Sequence, residues 1–130
     1  MNKPELLIPA GNREKLKTAI LYGADAVYTG VSGLSLRAGS AEMSLAELAE
    51  GIRIAHAHNV KVYGALNTFA RDADLQKAKK IIPELAAIDI DALIVSDPGI
   101  IRLIRSSASN IPLHLSTQAN TTNIEAVRFW

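Results

Sequence analysis

VKVYGAL, residues 60–66, is a short apolar run typical of a buried β-strand. A helical pattern follows from about Asp72 or Asp74, and a second apolar run comes at Ala92–Val95. A strand, a helix and a second strand in this order are typical of a βαβ unit, whose two strands are parallel. The same order recurs along the chain, with further strands predicted at Leu6–Pro9, Ala26–Thr29 and Leu113–Ser116.

The repeated unit predicts an α/β fold, in the form of a partial (β/α) TIM-type barrel with a parallel sheet and about five βα units. A closed barrel needs eight such units and typically about 250 residues, whereas this chain has 130. We therefore expect residues 1–130 to be the N-terminal part of a single barrel-like domain, truncated relative to a complete barrel. Any site that it holds is expected to be incomplete, and the segment alone to be inactive.

Capping signals place several helix starts. Asn12 is a candidate N-cap, Ser44 and Glu47 form a capping box, and Asp97 precedes a proline at the first helical position. Pro83 falls inside the third helical pattern and is expected to kink or split it, because proline lacks the amide donor and clashes with the preceding turn. Each signal marks where a helix begins and therefore where the strand tip before it ends. Ligands are usually bound at these strand tips.

Composition excludes several classes of protein. The chain is 48% hydrophobic and 21% charged, with a formal net charge of +1, so it is a globular chain without a strong overall field. It has no cysteines, so no disulfide or thiolate metal site is expected. His56 and His58 lie two apart on a predicted helix and face different ways, so no metal site is predicted. No signal peptide and no apolar run of about 20 residues is present, and we expect a cytoplasmic protein.

Polar side chains follow the predicted strands at their carboxyl ends. Asn67 follows the strand at 60–66, Asp97 follows the one at 92–95, and Ser116 and Gln118 end the last one. The carboxyl ends of parallel strands meet at the mouth of a barrel, where barrel enzymes place their sites. We therefore predict that these four side chains bind substrate. For Asp97, a role as a helix N-cap alone is an equal alternative.

Arg37 is the one cation inside the long segment between Gly30 and Met43. An arginine there could hold a carboxylate or phosphate by a two-pronged contact, and a solvated loop residue is the alternative. Strand alternation places Tyr28 and Tyr63 on the inward face as core rings.

His114 shares that inward face, and we expect it to be a hydrogen-bonded core histidine. Asp25 and Asp91 precede strands and fall at the opposite rim, where residues usually serve stability. No nucleophile is paired with a base in a suitable geometry, so the catalytic residues are unknown.

Six motifs occur in order and are spread along nearly the whole chain. They are Pro9-Ala10-Gly11-Asn12, Gly23-Ala24-Asp25-Ala26-Val27-Tyr28, Ser35-Leu36-Arg37-Ala38, Leu66-Asn67-Thr68, Asp97-Pro98-Gly99 and His114-Leu115-Ser116-Thr117-Gln118. Together they closely resemble the N-terminal region of the collagenase-like peptidase family U32. The chain departs from the usual family pattern at Ser96, where glutamine is frequent, and at Ala119, where methionine is common.

The resemblance implies a barrel-like N-terminal domain followed by further sequence. It also implies an iron–sulfur cluster on later cysteines and oxygen-independent hydroxylation of a tRNA uridine, an rRNA cytidine or ubiquinone precursors. Prephenate is the proposed hydroxyl source, and Arg37 would contact its carboxylate. This segment has no cysteine, so the cluster would belong to the full-length protein.

Three readings of function stay open at this point. The first is a component of tRNA or rRNA hydroxylation, the second a collagenase-like peptidase, and the third a binding module without catalysis. Cysteines beyond Trp130 would favour the first, and a metal-ligand cluster there the second. A partial parallel sheet leaves open edges and an apolar face, so we also expect the segment to self-associate.

Overall fold

The computed structural model describes residues 3–36 and 42–130. Helices and strands alternate along most of this length. The strands are β1 (Leu7–Pro9), β2 (Ala26–Val31), β3 (Glu42–Met43), β4 (Lys61–Leu66), β5 (Ala92–Val95) and β6 (Leu113–Leu115). The helices are α1 (Arg13–Leu21), α2 (Leu45–Ala57), α3 (Asp72–Ala87), α4 (Pro98–Ser107) and α5 (Ile124–Phe129), with a short 3-10 helix at Thr117–Ala119.

The strands form one sheet in the order β1-β2-β4-β5-β6, and every pair is parallel. The five strands expected from the sequence are confirmed, with small differences at their ends. The short strand β3 was not predicted. It pairs with the carboxyl end of β2, where Gly30 lies opposite Glu42 and Val31 opposite Met43. The parallel α/β fold with alternating βα units is the predicted fold class.

Three helix starts are capped as expected. The Asn12 side chain accepts a hydrogen bond from Lys15 N at 2.8 Å, Ser44 and Glu47 form a reciprocal capping box, and Asp97 caps α4. Helix α3 runs through Pro83 as one element, so proline does not split it, whereas a kink at Pro83 stays a prediction. Pro83 is exposed, so water can reach the carbonyl that loses its amide partner. The buried side chains on either side of the proline hold both parts of the helix on the sheet.

The two faces of the sheet are different. On the helix-covered face, β-strand residues pack with the helices into the main core, which includes Val27, Val62, Leu66 and Leu93. The other face carries a small cluster of Ala26, Tyr63 and Ala92, with Tyr28 and Ile94 packed against it. This division confirms the inward placement predicted for Tyr28 of β2 and Tyr63 of β4, and it makes the second face the inner face of the partial barrel.

At the amino-terminal rim of the sheet, two aspartates bind backbone amides of neighbouring strands. Asp25 Oδ2 accepts from Leu6 N at 2.8 Å, and Asp91 Oδ2 accepts from Val62 N at 2.7 Å. Asp91 Oδ2 also lies 2.8 Å from His56 Nε2. Both aspartates therefore lie away from the carboxyl ends of the strands, as predicted. Within residues 3–36 and 42–130, no helix is long and apolar enough to cross a bilayer.

Candidate functional site

A cavity of about 470 Å³ opens on the inner face at the carboxyl ends of the strands. We call it the mouth cavity. Its wall combines apolar groups from the strands with polar groups from the segments that follow them. Its lining includes Tyr28, Ala65, Asn67, Ile94, Ser116 and Gln118. Alternation explains this composition, because the last inward positions of β4 and β5, Ala65 and Ile94, are apolar while the positions just beyond the strands are polar.

Three of the predicted site residues come together in this cavity. Asn67 Nδ2 donates to Gln118 Oε1 at 3.4 Å, and the Ser116 hydroxyl donates to the same oxygen. Ser116 is 8% exposed and lies just after β6. Asn67 follows β4 directly, so parallel strands of one sheet deliver the amides to the same edge. The sequence predicted this grouping, and its role in binding substrate stays a prediction.

A fourth group, the backbone amide of Leu36, was missed by the sequence analysis. Leu36 N donates to Asn67 Oδ1 at 3.2 Å, and Thr68 N donates to Leu34 O at 3.2 Å. These two bonds fasten the segment after β2 to the tip of β4. Nothing in the local sequence marks this contact, because it joins residues far apart in the chain.

Asp97 does not line the mouth cavity. Its Oδ1 accepts from Ile100 N at 2.9 Å, which caps helix α4, and Leu75 packs close to the neighbouring Gly99. The expectation that Asp97 would meet the other polar side chains at the mouth is therefore not met by the structure. The N-cap alternative describes its contacts.

Arg37 lies outside the described residues, so its predicted contact with a carboxylate stays a prediction. Ser35 and Leu36, which precede it, both line the mouth cavity.

His114 was expected to be buried in the core, and this was wrong. It is exposed and lines the mouth cavity, and its ring packs edge-on against Tyr63 with centroids 4.7 Å apart. The reason is that β6 lies at an edge of the sheet. Within the part of the chain that the structure describes, β6 has no further strand beside it to enclose an inward side chain.

Below the mouth cavity, Tyr63 and Lys61 both bind the carboxylate of Glu5. The Tyr63 hydroxyl donates to Glu5 Oε1 at 2.7 Å, and Lys61 Nζ lies 3.1 Å from Glu5 Oε2. The hydrogen bond from Tyr63, followed by that from Lys61, lowers the pKa of Glu5. Burial, followed by the bond to Glu5, raises the pKa of the Tyr63 hydroxyl well above its usual value. Tyr63 thus stays a protonated donor at neutral pH.

The mouth cavity can bind and orient a polar ligand through neutral groups. Amides and hydroxyls offer hydrogen bonds, and the rings and aliphatic groups offer an apolar wall. No three His, Asp or Glu side chains among residues 3–36 and 42–130 are placed to hold a metal ion. The Ser116 hydroxyl bonds to an amide oxygen rather than to a base, so the described contacts do not include an activated serine.

Two characterised relatives are similar to nearly all of this chain. The tRNA hydroxylation protein P of Helicobacter pylori is 49% identical over 126 residues, which are 95% of this chain and 30% of that protein. A 23S rRNA 5-hydroxycytidine synthase of Escherichia coli is 40% identical over 125 residues, which are 96% of this chain and 18% of that protein. The chain thus spans a minor part of the length of both relatives.

The fold also matches a solved structure of a U32 peptidase. That match has a TM-score of 0.72 at 13% sequence identity and covers 97% of this chain and 55% of the other. At this identity the likeness concerns the fold. The sequence model for peptidase family U32 matches residues 11–130, which is nearly the whole chain. The chain belongs to peptidase family U32.

Proposed function

We propose that this chain is the N-terminal barrel segment of a protein that takes part in oxygen-independent hydroxylation of tRNA or rRNA. The observation that carries the proposal is the 49% identity, over 95% of the chain, to a protein described as a tRNA hydroxylation protein. A second relative, at 40% identity, is described as an rRNA hydroxycytidine synthase. RNA is therefore the proposed partner, and the cytoplasm the proposed location.

The mouth cavity is the proposed pocket for a prephenate-like hydroxyl donor, a small carboxylate. Asn67, Ser116 and Gln118 supply the polar wall, while Tyr28 and Ile94 supply apolar surface. Arg37 is proposed to contact the carboxylate of the ligand by a two-pronged bond. Asp97 would act from outside this cavity, by holding the start of α4 next to β5.

An iron–sulfur cluster does not fit the residues of this chain. Such clusters are held by cysteine thiolates, and the chain has none. We propose that the cluster implied by the family resemblance is bound elsewhere in the full-length protein. The role of this chain is then to bind and orient the small ligand.

Self-association of this segment is also part of the proposal. The large apolar side chains Leu7, Leu36 and Leu115 on the cavity wall are 40%, 40% and 37% exposed, and β1 and β6 lie at the two ends of the strand order. Exposed apolar surface and unpaired strand edges favour association. Sedimentation of the 130-residue chain at high concentration would show a dimer or larger species, whereas a monodisperse monomer would contradict this part.

The test of function is nucleoside mass spectrometry of tRNA and rRNA from cells that lack the gene. Loss of one hydroxylated nucleoside, restored by the wild-type gene, is the expected result and would name the target RNA. An unchanged set of nucleosides in both RNA classes would overturn the proposal.

A peptidase is the second candidate, and the family match favours it. It would act on peptide bonds through catalytic groups supplied by the rest of the full-length protein. Incubation of the full-length protein with gelatin and collagen peptides distinguishes the two candidates. Cleavage together with unchanged nucleosides would favour the peptidase.

A further inference from the structure

A chain of hydrogen bonds fixes the orientation of two amide side chains in the mouth cavity. It begins at the backbone amide of Leu36, which donates to Asn67 Oδ1 at 3.2 Å. It continues from Asn67 Nδ2 to Gln118 Oε1 at 3.4 Å. The Ser116 hydroxyl donates to the same Gln118 oxygen.

The donor and acceptor of each bond in this series of hydrogen bonds follow from the first bond, which the Leu36 amide donates. A backbone N–H can only donate, so the oxygen of Asn67 must face Leu36 and its NH₂ group must face away. That NH₂ group can only donate, so the oxygen of Gln118 must face Asn67. The fixed polarity of one backbone amide thereby determines which end of the Gln118 amide faces the protein.

The consequence is that the Gln118 NH₂ group is left for a ligand. Both hydrogen bonds of the Gln118 side chain within residues 3–36 and 42–130 end on Oε1. Gln118 is exposed and lines the cavity. Its Nε2 is therefore a donor on a residue that lines the same cavity as Tyr28 and Ile94.

We propose that Asn67 is a positioning residue that makes the mouth cavity select acceptor oxygens. The ligand class is a small molecule with an apolar body and a carboxylate or carbonyl head that accepts from Gln118 Nε2. The same bonds join Leu36, which follows β2, to the two amide side chains of the cavity. This inference rests on the proposed function only in taking the mouth cavity as a small-molecule pocket.

The test is the Asn67→Asp substitution in the full-length protein. The carboxylate that it introduces can still accept from Leu36 N, but it cannot donate to Gln118. The Gln118 amide then turns its NH₂ group toward this carboxylate and presents its oxygen to the cavity. Phenylacetate, an apolar body with an acceptor-only head, should bind the wild type and bind N67D at least about tenfold more weakly.

The added charge needs its own control. Thr117→Asp places a carboxylate on the same cavity without altering the bonds of Asn67. It therefore reports only the repulsion between an added carboxylate and the phenylacetate anion. Phenylacetamide, whose head both donates and accepts, should bind the wild type and N67D with nearly equal affinity. If N67D and T117D lower phenylacetate affinity by the same factor, or if N67D weakens both probes alike, the inference is wrong.

Hydrogen exchange at the Leu36 amide tests the coupling between Leu36 and Asn67, which is their hydrogen bond, without a ligand. Protection should persist in N67D, which keeps the acceptor, and fall about tenfold or more in Asn67→Leu, which has none. Equal protection in both variants would overturn the coupling. Failure of phenylacetate to bind the wild type would overturn the ligand class, whereas failure of the nucleoside test alone would leave the cavity chemistry standing and reject only the RNA function.

Discussion

Tyr63 of β4 donates its phenolic hydrogen to Glu5 Oε1 over 2.7 Å, and so ties the middle of the sheet to the segment that precedes the edge strand β1. The buried Ala26 of β2 belongs to the same inner cluster as Tyr63. Lys61 holds the other oxygen of the same carboxylate at 3.1 Å. Glu5 therefore anchors the amino-terminal segment to the floor of the inner face.

Replacement of Tyr63 with phenylalanine should lower the free energy of unfolding at pH 7 by about 1 kcal/mol, because a hydrogen bond to a carboxylate is lost. The pKa of Glu5 is lowered in the folded state, first by Tyr63 and then by Lys61. The stabilisation that ionised Glu5 gives the folded state is therefore present above the unfolded pKa of about 4.3. It is lost as the pH falls through the lowered pKa of the folded state. Urea unfolding from pH 7 to pH 3 measures both effects.

The difference between wild type and Y63F should shrink at acid pH, because protonated Glu5 is a weaker acceptor. Tyr28→Phe is the matched control, since Tyr28 belongs to the same inner cluster and the described residues give its hydroxyl no hydrogen bond. Two results would contradict the role given to Glu5. One is a decrease in the free energy of unfolding of Y63F that stays constant down to pH 3, and the other is an equal decrease in Y28F.

Replacement of Gly64 with alanine should destabilise the protein by about 1–3 kcal/mol. A Cβ at this position would lie 3.1 Å from Val31 Cγ2, 3.2 Å from Leu93 Cδ2 and 3.3 Å from Ile90 Cδ1. The three atoms belong to three different side chains, and each of these must shift to accept the new methyl group. Thermal unfolding measures the change.

Gly51→Ala in helix α2 serves as the comparison for G64A. There the new Cβ would approach one side-chain atom closely, Leu16 Cδ1 at 3.1 Å, and alanine gains about 1 kcal/mol of helix propensity. We expect the stability of G51A to be closer to that of the wild type than the stability of G64A is. The reverse order would show that the core around β4 is less tightly packed than these distances indicate.

Replacement of Asp91 with alanine should cost about 1–3 kcal/mol, because the amide of Val62 loses its acceptor at the start of β4. Asp91→Asn keeps an acceptor oxygen and should cost less. Chemical unfolding of both variants tests this role. Equal stability of D91A and the wild type would show that water replaces the carboxylate at no cost.

Replacement of Arg37 with alanine should reduce the hydroxylated nucleoside in cells, if Arg37 holds the carboxylate of the ligand. Arg53→Ala is the control, since Arg53 is exposed on α2, on the helix-covered side of the sheet. Mass spectrometry of RNA from complemented deletion strains compares the two. Unchanged product in R37A would remove Arg37 from the site, provided that the wild-type gene restores the product.

Local pattern was enough to predict the parallel sheet and the two faces of its strands. The run at 60–66 predicts an alternation between helix-facing and inward residues, and the structure has the same division. The pattern could not show β3, because a two-residue strand at Glu42–Met43 exists only through its pairing with Gly30 and Val31. Pairing of that kind depends on tertiary contacts rather than on local propensity.

The candidate site was predicted only in part, for a similar reason. Asn67, Ser116 and Gln118 could be grouped because each follows a strand of the same sheet. The exposure of His114 depends on what covers the edge strand β6, and the amide of Leu36 reaches Asn67 from another part of the chain. Asp97 follows a strand as well, but its contact with the backbone amide three residues later takes its carboxylate to the helix start.

The order of the main strands in the sheet, β1-β2-β4-β5-β6, is also their order along the chain. Among the strands within residues 3–36 and 42–130, no later strand has to enter between two that are already paired. During synthesis, each of these strands leaves the ribosome after the strand that it joins, and it adds to one free edge. The sheet can therefore assemble in the direction of translation, one βα unit at a time, with the amides of the mouth cavity brought together only when β6 is added.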